Sequence, residues 1–198
     1  MMMNETERVK RLEEHLTYLK VKHEDQIMKL TNLKQAHVYC VIHGLSAQKY
    51  GPILEKFIRI KFNYNKNKAE DCIGDCNKYG KNTEIKVSLG GENHTKFNYV
   101  QIRPNHDCDT YIFTAYHLSQ DNCKSEGDLY IFKISKMDIK NLIVSYGGYA
   151  HGTIKEHGKI TIESLENDKS SKEYALRPSI NDNCWRALML FRINESNL

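Results

Sequence analysis

The chain has 198 residues, a net charge of +4 and a pI near 8.6. That length suits one domain, or one domain with an appendage, with enough residues for a substantial core; the mild basicity is compatible with nucleic acid without requiring it. No apolar run approaches the ~20 residues of a membrane span, and Cys40, Cys72, Cys76, Cys108, Cys123 and Cys184 occur without a signal peptide or paired zinc-finger spacing, so a cytoplasmic protein with reduced thiols and no membrane partner is expected.

Residues 4–36 read as one helix. Val9, Leu12, Leu16, Leu19, Leu30 and Leu33 fall on heptad a and d positions, with His23 and Gln26 between them. Such a helix either packs on its own domain or forms an arm that pairs with another subunit, and residues 1–44 are set apart as this arm, 45–198 as the folded domain. Val38–Ile42 is a short apolar run ending at His43-Gly44. A second helix starts near Ser46 or Pro52 and runs to Phe62, with Pro52 suited to a first turn. Its apolar stripe of Ile53, Leu54, Phe57, Ile58 and Ile60 contains Glu55. A carboxylate there needs a partner: Arg59 at i+4, or a metal. Residues 63–70 form a polar connection in which Lys66 and Lys68, with Lys61 before them, could meet phosphate.

From Ile73 to Leu89 two strands flank a turn at Lys78–Asn82 with a central Gly80. After the turn the pattern alternates, so Ile85, Val87 and Leu89 face one side and Glu84, Lys86 and Ser88 the other. Glu84 and Lys86 then stand about 7 Å apart along the strand, and a twisted hairpin brings the Asp75 carboxylate beside Glu84. Asp71 is the other candidate for this acid; Asp75 stands closer to the hairpin. Mg²⁺ takes hard oxygen ligands, often one or two carboxylates with water and phosphate oxygens. Asp75, Glu84 and the Ile85 carbonyl suit it, with Lys86 placed to hold a water or balance phosphate charge, as metal-assisted phosphodiester hydrolysis requires.

Gly74-Asp75, Glu84-Ile85-Lys86 and Val87-Ser88 together resemble the PD-(D/E)xK nucleases, type II restriction endonucleases above all. The departure is Gly74, where the family's name has proline. The resemblance implies a mixed α/β fold, that is an α+β mixed sheet with a restriction-endonuclease-like core and flanking helices. It also implies catalytic Asp75, Glu84 and Lys86, with Glu55 on the preceding helix near the metal site. The activity implied is sequence-specific, Mg²⁺-dependent cleavage of double-stranded DNA, and cutting both strands implies a homodimer; the alternatives are a repair or nicking nuclease subunit with the same core, or a non-catalytic DNA- or protein-binding α/β module.

Downstream, Phe97–Arg103 alternates again and places Gln101 and Arg103 on one face. Arginine pairs with guanine and glutamine with adenine in the major groove, so both are DNA-binding candidates, with Asn105 and His106 in the loop after Pro104. Thr110–Tyr116 is a central strand, Leu118–Gly127 a loop and Asp128–Ile134 another strand. Ser135 caps a helix to about Val144. The glycine-rich turn Tyr146–Thr153 lacks the P-loop pattern, but its glycines permit close backbone approach to a ligand. His151, Thr153 and Lys155 are therefore further DNA-binding candidates. A short strand over Lys159–Glu163, another over Tyr174–Arg177 and a core-closing helix from Asp182 complete the reading. No nucleophile elbow or catalytic cysteine setting is present.

Overall fold

The computed structural model describes residues 4–90, 95–167 and 172–198. Helices α1 (Glu5–Met28), α2 (Leu33–Ile42) and α3 (Ala47–Lys61) come first, followed by β1 (Asn65–Lys66), β2 (Cys76–Lys78), β3 (Lys81–Ser88), β4 (Tyr99–Ile102), β5 (Thr110–His117) and β6 (Asp128–Ser135). Then come α4 (Lys136–Tyr146), β7 (Gly148–Tyr149), α5 (Ile154–His157), α6 (Ile162–Asn167), β8 (Tyr174–Leu176), α7 (Asn183–Met189) and β9 (Arg192–Ile193). The fold is mixed α/β, built on a mixed sheet.

Six strands pair in the order β1-β2-β3-β5-β6-β9, and a smaller sheet runs β4-β8-β7. Only β3 and β5 are parallel within the larger sheet. Both faces of this sheet are covered, so its central strands carry apolar side chains in both directions. Ile85, Ile112 and Tyr116 pack with Ile27, Leu33, Leu54 and Phe57 of the N-terminal helices. Tyr111, Phe113 and Phe132 pack on the other side with Ile139, Leu142, Trp185 and the small sheet's Tyr99, Tyr174 and Leu176. The crossover from β3 to β5 carries β4 into that second layer.

The helix expected over 4–36 is two helices. Asn32 breaks it, because its side chain accepts from Gln35 N and starts α2. The apolar run 38–42 belongs to α2. Residues 4–18 are exposed throughout, including Val9, Leu12 and Leu16. Ile27, Leu33, Ala36 and Cys40 are buried in the same core as β3 and β5, so the described residues 4–44 divide between an exposed helical stretch and part of the main core.

Ser135 caps α4 as expected, and Asp182, at the expected start of the last helix, caps α7. The strand expected over Lys159–Glu163 is absent. Thr161 and Ser164 exchange backbone-to-side-chain hydrogen bonds and start α6 instead. Among the described residues no helix is long and apolar enough to cross a membrane.

Candidate active site

The first link is local. Gly74 adopts φ +88°, and a Cβ there would stand 2.9 Å from the Thr83 carbonyl oxygen. Proline is confined to a φ near −65° and could not take this conformation, which gives a physical reason for glycine at this position. Asn67 braces the same segment. Its side-chain amide donates to the Ile73 and Gly74 carbonyls, its backbone N–H donates to the Asp75 carbonyl, and Asn77 donates to its side-chain oxygen.

On the N-terminal side of Cys76 the segment separates from β3. Cys76 pairs with Thr83, but beyond that point the ladder is continued by a side chain: Ile85 N donates to Asp75 Oδ2 at 2.7 Å. The Ile85 carbonyl shares that side of the strand, because a strand residue's N–H and C=O point the same way. The Asp75 carboxylate and this carbonyl therefore lie on the same edge of β3. The Ile85 side chain is wholly buried in the core.

Glu84 and Lys86 project beside Asp75 from β3, and Lys86 Nζ lies 2.6 Å from Glu84 Oε1. Glu55 reaches the same place from the middle of α3. No ion pair joins it to Arg59 among the described residues. These four side chains line a cleft of about 1440 Å³ with Gln101, Arg103 and His106.

The electrostatics record the crowding. Burial, then the Asp75 charge, pushes the Glu55 carboxyl up to about 7, against the pull of Lys86. Burial, then Glu84, raises Asp75 to about 6, opposed by the Ile85 N–H, Lys86 and Arg103. Burial works against a charged Lys86, but Glu84, Asp75 and Glu55 outweigh it and its pKa is raised. Three carboxylates thus share one ammonium in a partly desolvated cleft. Among the described residues no three His, Cys, Asp or Glu side chains gather closely enough to hold an ion by themselves. The available donors are Asp75, Glu84 and the Ile85 carbonyl, completed by solvent or substrate oxygens. This hard-oxygen set with surplus negative charge fits Mg²⁺.

Asp71 lies exposed in a short 3-10 turn and does not line the cleft. Gln101 and Arg103 both line it, but not through simple alternation. The β4–β8 register shifts between Tyr99 and Ile102, and Gln101 takes φ +55°, as at a bulge. Asn105, His151, Thr153 and Lys155 are outside the cleft lining. Thr153 is the cap of α5, joined to Glu156 in a capping box. His151 Nε2 lies 3.7 Å from Glu173 Oε2.

Asn67, Lys96, Glu173 and Arg177 escaped the sequence reading. Lys96 and Arg177 line the cleft, and Glu173 holds Arg103. Asn67 stands in a polar run with no local signal for a bracing role; Glu173 and Arg177 flank β8 of the small sheet, and Lys96 is placed by an isolated bridge to Ser179. Comparison with protein-family models, curated proteins and solved structures finds no match.

Proposed function

We propose that this chain is a Mg²⁺-dependent endonuclease of PD-(D/E)xK type. Its substrate is double-stranded DNA, cut at a specific sequence, and it works as a cytoplasmic homodimer. The observation that carries the reading is the convergence of Glu55, Asp75, Glu84 and Lys86, from three elements, at the point where the chain before β2 parts from β3. A surface hairpin with an incidental Glu/Lys pair would have no reason to bury its acids beside a third carboxylate from a separate helix.

In this reading Asp75, Glu84 and the Ile85 carbonyl hold the ion. Bound Mg²⁺ supplies electrophilic stabilisation of the phosphate's developing charge. Lys86, oriented by Glu84, offers N–H donors to the attacking water and to phosphate oxygens. Glu55 sets the charge of the site from behind. The basic side chains Lys66, Lys68, Lys96, Arg103 and Arg177, which line the cleft around the acidic centre, suit a polyanion laid across it. A homodimer would place two such centres on the two strands, and the exposed apolar stripe of α1 offers a surface for it.

The test is digestion of plasmid and phage DNA with and without Mg²⁺, comparing the parent chain with Glu84→Ala. Discrete Mg²⁺-dependent fragments that vanish in the variant support the reading, and sequencing their ends gives the site. Nicked circles alone point to a missing partner subunit, and a smear to a nuclease without sequence preference. Intact DNA under conditions where the folded chain binds it refutes catalysis.

A further inference from the structure

We infer that Glu173 is a positioning residue that holds the Arg103 guanidinium as a phosphate clamp beside the candidate catalytic carboxylates. The inference rests on the nuclease reading and adds to it the group that grips the backbone of the cut strand.

The two residues meet through the small sheet. Ile102 pairs with Tyr174 in the β4–β8 ladder, so the residues just outside that pair, Arg103 and Glu173, come together across 70 positions of sequence. The Glu173 side chain is only 15% exposed, whereas that of Arg103 is 38% exposed and lines the cleft. Glu173 Oε1 accepts from Arg103 Nε at 3.0 Å and also from Nη2. Guanidinium has five N–H donors in a rigid planar fork. This contact occupies its side edge and leaves the end formed by Nη1 and the outer N–H of Nη2. That end is the geometry for gripping two oxygens of one phosphate.

Position decides what it grips. The charge of Arg103 is felt at the Asp75 carboxylate, and its neighbours in the cleft include Asp75, Glu84 and Lys86. The group within reach of a guanidinium beside the reacting centre is a backbone phosphate of the strand being cut, rather than a base edge. An arginine free to rotate would lose side-chain entropy on binding; Glu173 fixes the side chain beforehand. The same residue anchors the glycine-rich turn, since Ala150 N donates to the Glu173 carbonyl at 2.8 Å and His151 faces its second carboxylate oxygen.

The test is a double-mutant cycle on the full chain with Arg103→Ala, Glu173→Ala, the pair together, and Glu173→Gln. Two readouts apply: Mg²⁺-dependent cleavage of supercoiled plasmid over a range of plasmid concentration, and filter retention of linear plasmid duplex with Ca²⁺ over a salt series. Thermal melts confirm that each variant is folded. Arg103→Ala is expected to raise KM and Kd about tenfold and to flatten the salt slope by about one. Glu173→Ala is expected to raise KM severalfold with kcat little changed, and the double variant to match Arg103→Ala alone, as residues acting as one unit do. Glu173→Gln keeps an acceptor for the guanidinium and is expected to recover most of the loss.

Effects that add in the double variant, no recovery with Gln, or a silent Glu173→Ala overturn the assignment. A parent that binds duplex without cutting refutes the nuclease reading, and the binding cycle then decides the clamp by itself. A parent that neither binds nor cuts overturns both.

Discussion

Glu55→Gln removes a charge from the cleft while keeping the side chain's volume, and its effect on stability can be worked out with its sign. Folding moves the Glu55 carboxyl from an ordinary 4.5 up to about 7, chiefly by burial. Below pH 4.5 the group is neutral in both states and costs nothing. As pH rises, the unfolded chain ionises first, so the folded state binds the extra proton and stability falls. The fall ends once pH passes about 7. Its full span is roughly 3 kcal/mol, from 1.36 kcal/mol for each pH unit between the two values. Asp75, raised from 3.8 to about 6 by burial and by Glu84, acts in the same direction at lower pH, and the two overlap because they sense each other's charge. Urea denaturation in EDTA should therefore show Glu55→Gln and the parent nearly equal at pH 4. The variant should be more stable by roughly 2–3 kcal/mol at pH 8. Adding Mg²⁺ should narrow the gap at pH 8, because the ion favours the charged set. A variant that is no more stable than the parent at pH 8 would refute the argument, since it would mean that Glu55 is solvated or paired with a cation.

Lys86→Ala should leave duplex binding within a few fold and slow plasmid cleavage by about a hundredfold or more, because the donors it removes act on charge that develops in the transition state. Cleavage at the parent rate would show that the wrong lysine has been chosen. Gly74→Ala should destabilise the chain by about 1–2 kcal/mol, from a left-handed backbone and a Cβ pressed against the Thr83 carbonyl. It should also lower cleavage by moving Asp75, which a chemical melt and a plasmid assay would show together. Phe57→Ala empties a wholly buried position between α3 and the sheet. It should cost about 3–5 kcal/mol in urea denaturation while the mixed secondary structure persists in the far ultraviolet.

Features whose physical cause lies within a few residues were legible from the chain alone. Strand alternation assigns the two faces of residues 84–89; Ile85 and Leu89 are buried and Val87 half-buried on one of them, while Glu84 and Ser88 on the other are buried as well because both faces of the sheet are covered. The caps at Ser135 and Asp182 follow from side-chain oxygens three residues ahead of the N–H they accept. The proximity of Asp75 to the Glu84 strand followed from hairpin twist.

The remaining features depend on contacts that join distant parts of the chain. Glu55 had two local readings; the approach of α3 to β3 turned it toward Asp75 and away from Arg59. Gln101 and Arg103 have a period-two pattern, yet the bulge against β8 sets where each stands. Glu173 carries no local sign of a role until strand pairing sets it against Arg103. The Lys159–Glu163 segment had an extended reading that the Thr161–Ser164 cap displaced in favour of a helix packed near α4. Propensity, period and capping act between near neighbours, whereas a site is assembled by burial and strand pairing, which select among segments that local rules leave equivalent.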